Sequence, residues 1–249
     1  MTVTKRLDIL LVEKNFFATR SRARDAVARK TVKVDGKIIF KAGKMIADDA
    51  IITVSDSAQN YVSRAALKLI YALDMFPVIT NKITAIDVGA STGGFTQVLL
   101  ERGAAHVIAL DVGYNQFDAR LSDNSAVTLL EGLNVRDLKQ EHLGSHEIDL
   151  IVSDVSFISL KLALPSVLSL TKKSAQAVLL VKPQFEVGRA GVGKGGILKD
   201  PLIAKKTAEE LFDWLNTQIG WTAKGLLLSP ITGGDGNLEY LLFGEKSEK

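Results

Sequence analysis

"AIDVGASTGGFTQVLL", residues Ala85 to Leu100, decides the reading of this chain. An apolar run breaks into a turn of small residues and resumes as a helix, the strand–turn–helix opening of a nucleotide-type α/β domain. A dinucleotide fold wants G-x-G-x-x-G there and a P-loop wants G-x-x-x-x-G-K-[ST], both to hold phosphates. Here Gly89, Gly93 and Gly94 stand as G-x-x-x-G-G with no lysine, so neither template fits. What remains is a tight turn with little side chain, open to close approach by a ligand without pyrophosphate.

Working outward, "ITAIDVG", "HVIALDVG", "VTLLEG", "IDLIVSDV", "AVLLVKP" and "EYLLF" read as strands with helices between them. Near-continuous apolar strands are what a sheet covered on both faces produces. The expected fold is therefore α/β: a doubly wound, mostly parallel, Rossmann-like sheet with its ligand crevice at the carboxyl ends of the strands. Asp111 ends the strand after the glycine turn, 24 residues beyond Asp87, about where an acid bridges ribose hydroxyls in such sheets. An adenosine ligand with free 2′- and 3′-hydroxyls and no pyrophosphate satisfies both signals, and S-adenosylmethionine is such a ligand. A glycine turn that only packs helix on strand is the rival explanation, and Asp111 weighs against it. The cofactor-contacting candidates from this region are Asp87, Gly89, Ser91, Gly93, Gly94, Phe95 and Asp111.

Composition bounds the remaining possibilities. The 249 residues, 47% hydrophobic, suffice for a large core plus a small satellite domain. There is no cysteine, so disulfides, thiolate zinc sites, iron–sulfur clusters and cysteine nucleophiles are excluded, and no metal ligand set stands out. No apolar stretch approaches the roughly 18 residues of a membrane span, and a soluble, cytoplasmic protein without membrane partners is expected. Net charge is +3, but residues 1–60 hold 12 Lys+Arg against 7 Asp+Glu, a balance of +5, which leaves −2 for the rest. Such a local excess attracts a phosphate backbone by counterion release.

That basic quarter reads as a small α+β module. "TKRLDILLVEKNF" has leucines at helical spacing. In "ATRSRARDAVARKTV", Thr19 or Ser21 caps a second helix with Ala23, Ala26 and Val27 inward and Arg20, Arg22, Arg24 and Arg29 outward. "TVKVDGKII" is a hairpin turning at Asp35-Gly36. Through "RLD" (Arg6 to Asp8), "SRARDAV" (Ser21 to Val27) and "VKVDGK" (Val32 to Lys37) the module resembles an S4 RNA-binding domain, with Lys30 where such domains usually have glycine. The resemblance implies RNA contacts from Arg6, Arg20, Arg22, Arg24, Arg29 and Lys30. Polar "SDSAQN" (Ser55 to Asn60) reads as the linker, giving an RNA-binding domain over 1–58 and the α/β domain over 59–249.

The chemistry follows from what is missing. Base-nitrogen methylation usually employs an Asp/Asn-Pro-Pro-aromatic loop, but "SDVSF" (Ser153 to Phe157) has no proline, and carbon methylation with a cysteine nucleophile is ruled out. An oxygen acceptor is the simplest remaining case, and it needs a base for the hydroxyl proton and groups that align the hydroxyl. Lys68, Asp154, Lys182 and Glu239 lie at strand ends or on the preceding helix and form a candidate set. A lysine base must be brought down about three units from its ordinary value of about 10.4, roughly 4 kcal/mol, through burial and a second cation nearby. Lys68 is the candidate second cation.

Nearly the whole chain resembles the TlyA family, an S4 domain joined to a methyltransferase domain similar to FtsJ and often labelled hemolysin. The motifs are "YVSRAALKL" (Tyr61 to Leu69), "DVGASTGGFT" (Asp87 to Thr96), "ALDVGYNQ" (Ala109 to Gln116), "SDVSFISL" (Ser153 to Leu160), "VKPQFEVGR" (Val181 to Arg189) and "GNLEY" (Gly236 to Tyr240). The resemblance implies a K-D-K-E catalytic tetrad at Lys68, Asp154, Lys182 and Glu239, and an adenine contact at Asn134. Ala65-Ala66 departs from a Gly-Gly of that pattern. It further implies S-adenosylmethionine as cofactor, ribosomal RNA in ribosomal subunits as partner, and methylation of a cytidine 2′-hydroxyl. The loop "VGRAGVGKGGILKDP" (Val187 to Pro201), with Arg189, Lys194 and Lys199, is expected to order on RNA. Two rival classes are a ribosome assembly factor without turnover and a membrane-active hemolysin.

Overall fold

The computed structural model describes residues 3–198 and 200–247, and the chain divides into two compact units between Asn60 and Tyr61. Lys199 lies outside the described residues, as do the side chains of Arg189 and Lys194.

The first unit opens with β1 (Thr4–Arg6), which runs into α1 (Leu7–Glu13) and then α2 (Arg20–Ala28). Leu7, Leu10 and Leu11 of α1 bury against Ala23, Ala26 and Val27 of α2, so the apolar spacing of both helices faces one core. Of the two capping candidates it is Thr19 that acts: its Oγ1 accepts the Arg22 N–H at 3.3 Å. After α2, Lys30 adopts φ +64, the left-handed conformation glycine favours at this position, so the substitution leaves the turn in the glycine shape at a cost of about 1 kcal/mol. The hairpin of β2 (Val32–Val34) and β3 (Lys37–Ile38) turns at Asp35 and Gly36, both at positive φ, as a type I′ turn requires. β4 (Met45–Ala47) pairs antiparallel with β1, and β5 (Ile52–Val54) with β2. β1, β4 and β5 are three residues each, too short for a period-2 pattern to show in the sequence.

The polar stretch after β5 is not a loose connector. Asp56 holds Arg29 at 2.6 Å, Ala58 is buried, Arg22 donates to the Ala58 and Gln59 carbonyls, and Gln59 Nε2 donates to the Phe16 carbonyl. Composition alone marked it as a linker, but side chains from α2 bind it to the first unit.

The second unit begins with α3 (Ala66–Met75), then β6 (Thr84–Val88), α4 (Gly94–Glu101), β7 (His106–Asp111), α5 (Ala119–Ser122) and β8 (Val127–Glu131). It continues with α6 (Gln140–Leu143), β9 (Ile148–Ser153), α7 (Leu160–Ala163), α8 (Pro165–Ser169), β10 (Thr171–Val181), α9 (Gly188–Gly191), α10 (Pro201–Asn216), β11 (Trp221–Leu228) and β12 (Tyr240–Lys246). The seven strands lie in the order β11-β12-β10-β9-β6-β7-β8, with β12 antiparallel to both neighbours and β6 to β10 parallel. From β6 the chain steps to β7 and β8 on one side, then returns to place β9 on the other. The switch point between β6 and β9 opens a crevice at their carboxyl ends.

The apolar strand runs are explained by two cores. Ile86, Val88, Ile148 and Ile151 face α7, α8 and α10, while Ala85, Leu150 and Val152 face α3 and α4. The sequence reading missed β11, an edge strand whose apolar alternation is interrupted by a register shift between Ala223 and Gly225. The Gly225 position is tight as well: an added Cβ would lie 2.4 Å from the Phe76 ring.

Candidate active site

The turn of the quoted stretch sits at the switch point. Gly89 has φ +83, and a Cβ on it would lie 2.9 Å from the Asp154 carbonyl oxygen at the end of β9. Gly93 has φ +94, with Leu121 Cδ1 2.6 Å from where its Cβ would be, and at Gly94 the Ser63 Cβ is 2.8 Å away. These glycines are demanded by the chain's own packing as well as by any ligand. Space for a ligand lies beside the turn. A cavity of about 560 Å³ is lined by Gly89, Ser91, Asp111, Asn134, Asp154 and Ser156, among others. A smaller one of about 160 Å³, lined by Asp87, Gly94, Phe95, Asp154 and Lys182, shares Gly89, Ser91, Asp154 and Ser156 with it.

Polar groups around the larger cavity are held by the backbone. Asp111 Oδ2 accepts the Ser91 N–H at 2.8 Å and Oδ1 accepts the Gly113 N–H at 2.7 Å, which fixes the carboxylate while leaving a lone pair on each oxygen. Ser91 itself takes φ +48 to make that contact. Asn134 Oδ1 accepts the Arg136 N–H at 3.1 Å and its Nε–H at 3.3 Å, so the amide oxygen is engaged and the amide nitrogen is left to donate.

Asp87 is fully buried. Its Oδ2 accepts both the N–H of Thr96, at 2.9 Å, and the Thr96 hydroxyl, at 2.7 Å, while Oδ1 has no hydrogen-bond partner. Burial pushes its carboxyl up to about 7, the Thr96 donors pull it back, and the neighbouring charges of Asp154 and Asp111 add to the rise. Phe95 is buried beneath the turn and lines the smaller cavity.

The four tetrad candidates come together as two ion pairs. Lys68 Nζ lies 2.5 Å from Glu239 Oε2 with both side chains buried, and Lys182 Nζ lies 2.6 Å from Asp154 Oδ1. Each lysine is thus matched to its own carboxylate. Ala65, at φ −56, has ordinary right-handed backbone, so nothing in the local conformation calls for the glycine that the pattern suggested.

Three residues escaped the sequence reading. Ser156 Oγ accepts from Lys182 Nζ at 2.7 Å. Glu186 accepts from Ser159 Oγ at 2.5 Å and from the Leu160 N–H at 2.8 Å, tying the loop after β9 to the turn after Lys182. The buried Asn237 donates to the Gly196 carbonyl and accepts the Leu198 N–H, anchoring the glycine-rich loop two residues before Glu239. All three lie inside quoted motifs, but a polar residue in a loop has no spacing that reveals its partner.

The expected RNA-binding cations lie in the first unit and are largely engaged there. Asp8 is buried and accepts from Arg6 and Arg20, while Arg22 and Arg29 turn toward the Ser55–Asn60 segment. Arg24 and Lys30 are exposed.

Comparison with known proteins agrees with this architecture. The FtsJ-like methyltransferase family matches residues 61–246, and the S4 domain matches residues 5–52. Over 239 residues the chain is 40% identical to a 16S/23S rRNA (cytidine-2′-O)-methyltransferase TlyA of Mycobacterium tuberculosis, covering 96% of this chain and 88% of that one. The chain belongs to the TlyA family. Hemolysin A of Brachyspira hyodysenteriae is 37% identical over 95% of this chain and 98% of its own. A solved structure from Streptococcus thermophilus, described as a hemolysin, superposes with a TM-score of 0.76 at 36% identity, covering 100% of this chain and 90% of that one. Among the described residues of this TlyA-family chain, no helix is long and apolar enough to cross a membrane.

Proposed function

We propose that this chain transfers a methyl group from S-adenosylmethionine to the 2′-hydroxyl of a cytidine in ribosomal RNA, in the cytoplasm. The observation that carries the reading is the Lys182–Asp154 pair lining the cavity beside the glycine turn, with the buried Lys68–Glu239 pair at the head of β12, whose Tyr240 pairs with Val181. The same reaction is printed in the name of the Mycobacterium tuberculosis relative.

The residues present fit the cofactor. Asp111 offers two fixed carboxylate oxygens suited to vicinal ribose hydroxyls, and the Asn134 amide nitrogen is suited to an adenine ring nitrogen. The unpartnered Oδ1 of buried Asp87 calls for a donor or a cation, which an α-ammonium group supplies. Gly89, Ser91, Gly94 and Phe95 shape the floor and walls, and Gly93 at positive φ completes the turn between them. When bound, S-adenosylmethionine supplies an electrophilic methyl group on a sulfonium.

On the protein's side, Lys182 Nζ, after giving one of its own protons to solvent, receives the proton of the acceptor hydroxyl. Asp154 and Ser156 aim that amine from two directions, and the buried Lys68–Glu239 pair stands at the head of β12, which pairs with β10 as far as Val181. Packing holds all four in place, so the hydroxyl meets a preorganised site. Arg6, Arg20, Arg22, Arg24, Arg29 and Lys30 belong to the S4 unit that engages the RNA, the exposed Arg24 and Lys30 by direct contact.

The test is tritiated methyl transfer onto isolated ribosomal subunits from a strain lacking the enzyme, with mapping of the labelled ribose. Lys182→Ala should abolish labelling and leave RNA affinity unchanged. Binding of subunits by wild-type protein without any labelling would instead identify an assembly factor. The hemolysin names of relatives make liposome leakage a useful control, expected to be absent.

A further inference from the structure

The S4 unit carries an aromatic side chain that its core does not use. Phe40, just after the β2–β3 hairpin, is 66% exposed, although Ile39 beside it is buried. A lone exposed apolar side chain is ordinary, so what matters is what surrounds the ring. Lys30 Nζ stands 5.8 Å from the Phe40 ring centroid, within cation–π range. Lys30 occupies a left-handed position at which glycine would carry no conformational cost, so the strain is accepted where a side chain reaches the ring.

Charge along the segment from Lys30 to Lys41 is mainly positive. Lys33, Lys37 and Lys41 of the same segment are exposed. The one acid of the hairpin, Asp35, is occupied by the Ile51 N–H at 3.0 Å. Half-exposed Ile38 lies opposite Lys33 in the β2–β3 register, on the sheet face away from buried Val32 and Val34. The Arg6 guanidinium lies against Gly43, three residues beyond the ring. By contrast, Arg22 and Arg29 are directed into the unit itself.

We infer that Phe40, with Lys30 over its ring, is a stacking site for an unpaired base of the RNA, flanked by ammonium groups that track its phosphates. Aromatic rings among basic side chains bind single-stranded nucleic acid in this way, because every base has a π-face and every linkage a charge. The site extends the RNA-methylation reading and rests on it for the identity of the polymer. It places RNA contact on the hairpin side of the unit in addition to the α2 cations.

The experiment uses the full chain and fluorescence anisotropy with a fluorescein-labelled, unstructured twelve-nucleotide RNA and the duplex of the same sequence. Phe40→Ala should weaken single-strand binding about tenfold with an unchanged slope of log affinity against log salt, since stacking releases no counterions. Its duplex affinity should not change, and Phe40→Trp should restore the single-strand affinity. Lys37→Ala should instead flatten the salt slope by about one. An exposed residue contributes little to folding, so the thermal midpoint of Phe40→Ala should equal that of wild type. Unchanged single-strand affinity in Phe40→Ala, or an equal loss on the duplex, overturns the inference. Methyl transfer at saturating RNA reports separately on the functional reading: Phe40→Ala should keep it, and its absence from wild type would sink that reading whatever the anisotropy shows.

Discussion

Two aspartates, one in each unit, have no solvent-accessible surface, yet one lies shallow and one deep, and they behave in opposite ways. Asp8 in the S4 unit accepts from Arg6 Nε at 3.0 Å and from Arg20 Nη2 at 2.9 Å, and the two guanidiniums hold its carboxyl at about 2 against the cost of burial. Asp87 in the methyltransferase unit has only the neutral donors of Thr96, with two other aspartates nearby, and burial lifts it to about 7. Depth and partners together set the charge of a carboxylate: charged donors outweigh shallow burial at Asp8, and deep burial outweighs neutral donors at Asp87. Asp8 is a finished clamp between β1, α1 and α2. Asp87 is left one partner short at the mouth of a cavity, as a group reserved for a ligand would be.

The comparison can be broken by substitution. The largest effect is expected at the cavity end: Lys182→Ala should lower kcat by about 10³-fold, in the range for a lost acid–base group, with Tm little changed. Single-turnover methyl transfer measures it. In the S4 unit Asp8→Ala should cost about 2–3 kcal/mol, because it removes a buried acceptor from two charged donors, and denaturant unfolding should show the loss. In wild type the stabilisation from Asp8 is complete above about pH 4, the ordinary carboxylate range, and is lost as pH falls through about 2.

Asp87→Asn should do the reverse, raising stability of the ligand-free protein by about 1–2 kcal/mol at pH 8 while weakening cofactor binding. The sign follows from a raised folded value: wild-type stability from Asp87 is present below about pH 4 and lost as pH rises through about 7. The difference in Tm between Asp87→Asn and wild type should accordingly grow from pH 4 to 7 and then level off. A constant difference across that range would show that Asp87 does not titrate there. The smallest effect is expected for Ser156→Ala, a few-fold loss in kcat with unchanged KM for S-adenosylmethionine, restored by Ser156→Thr.

Arg29 illustrates how far residue type could be read. Its place on α2 suggested an RNA contact, but its guanidinium sits at 2.6 Å from the buried Asp56. A helical pattern reports which side of α2 an arginine is on, and it does not reveal a carboxylate 27 residues later. The tetrad shows the same boundary. Lys68 and Glu239 lie 171 residues apart, and their pairing follows from β12 inserting antiparallel beside β10, next to the strand that ends at Lys182.

What the sequence determined by itself was local: apolar runs long enough to be doubly covered strands, a glycine turn unlike either phosphate-binding template, a hairpin at Asp35-Gly36, a basic first quarter, and the types of residue needed for methyl transfer to oxygen. Those depend on periodicity, backbone freedom and composition, which act over a few residues. Tertiary structure alone decided which lysine meets which acid, that the polar stretch after β5 belongs to the S4 unit, and that two solvent-inaccessible aspartates carry opposite tendencies. Those outcomes depend on charges and hydrogen-bond partners a few ångströms apart in space, brought together by chain crossovers that sequence spacing does not encode.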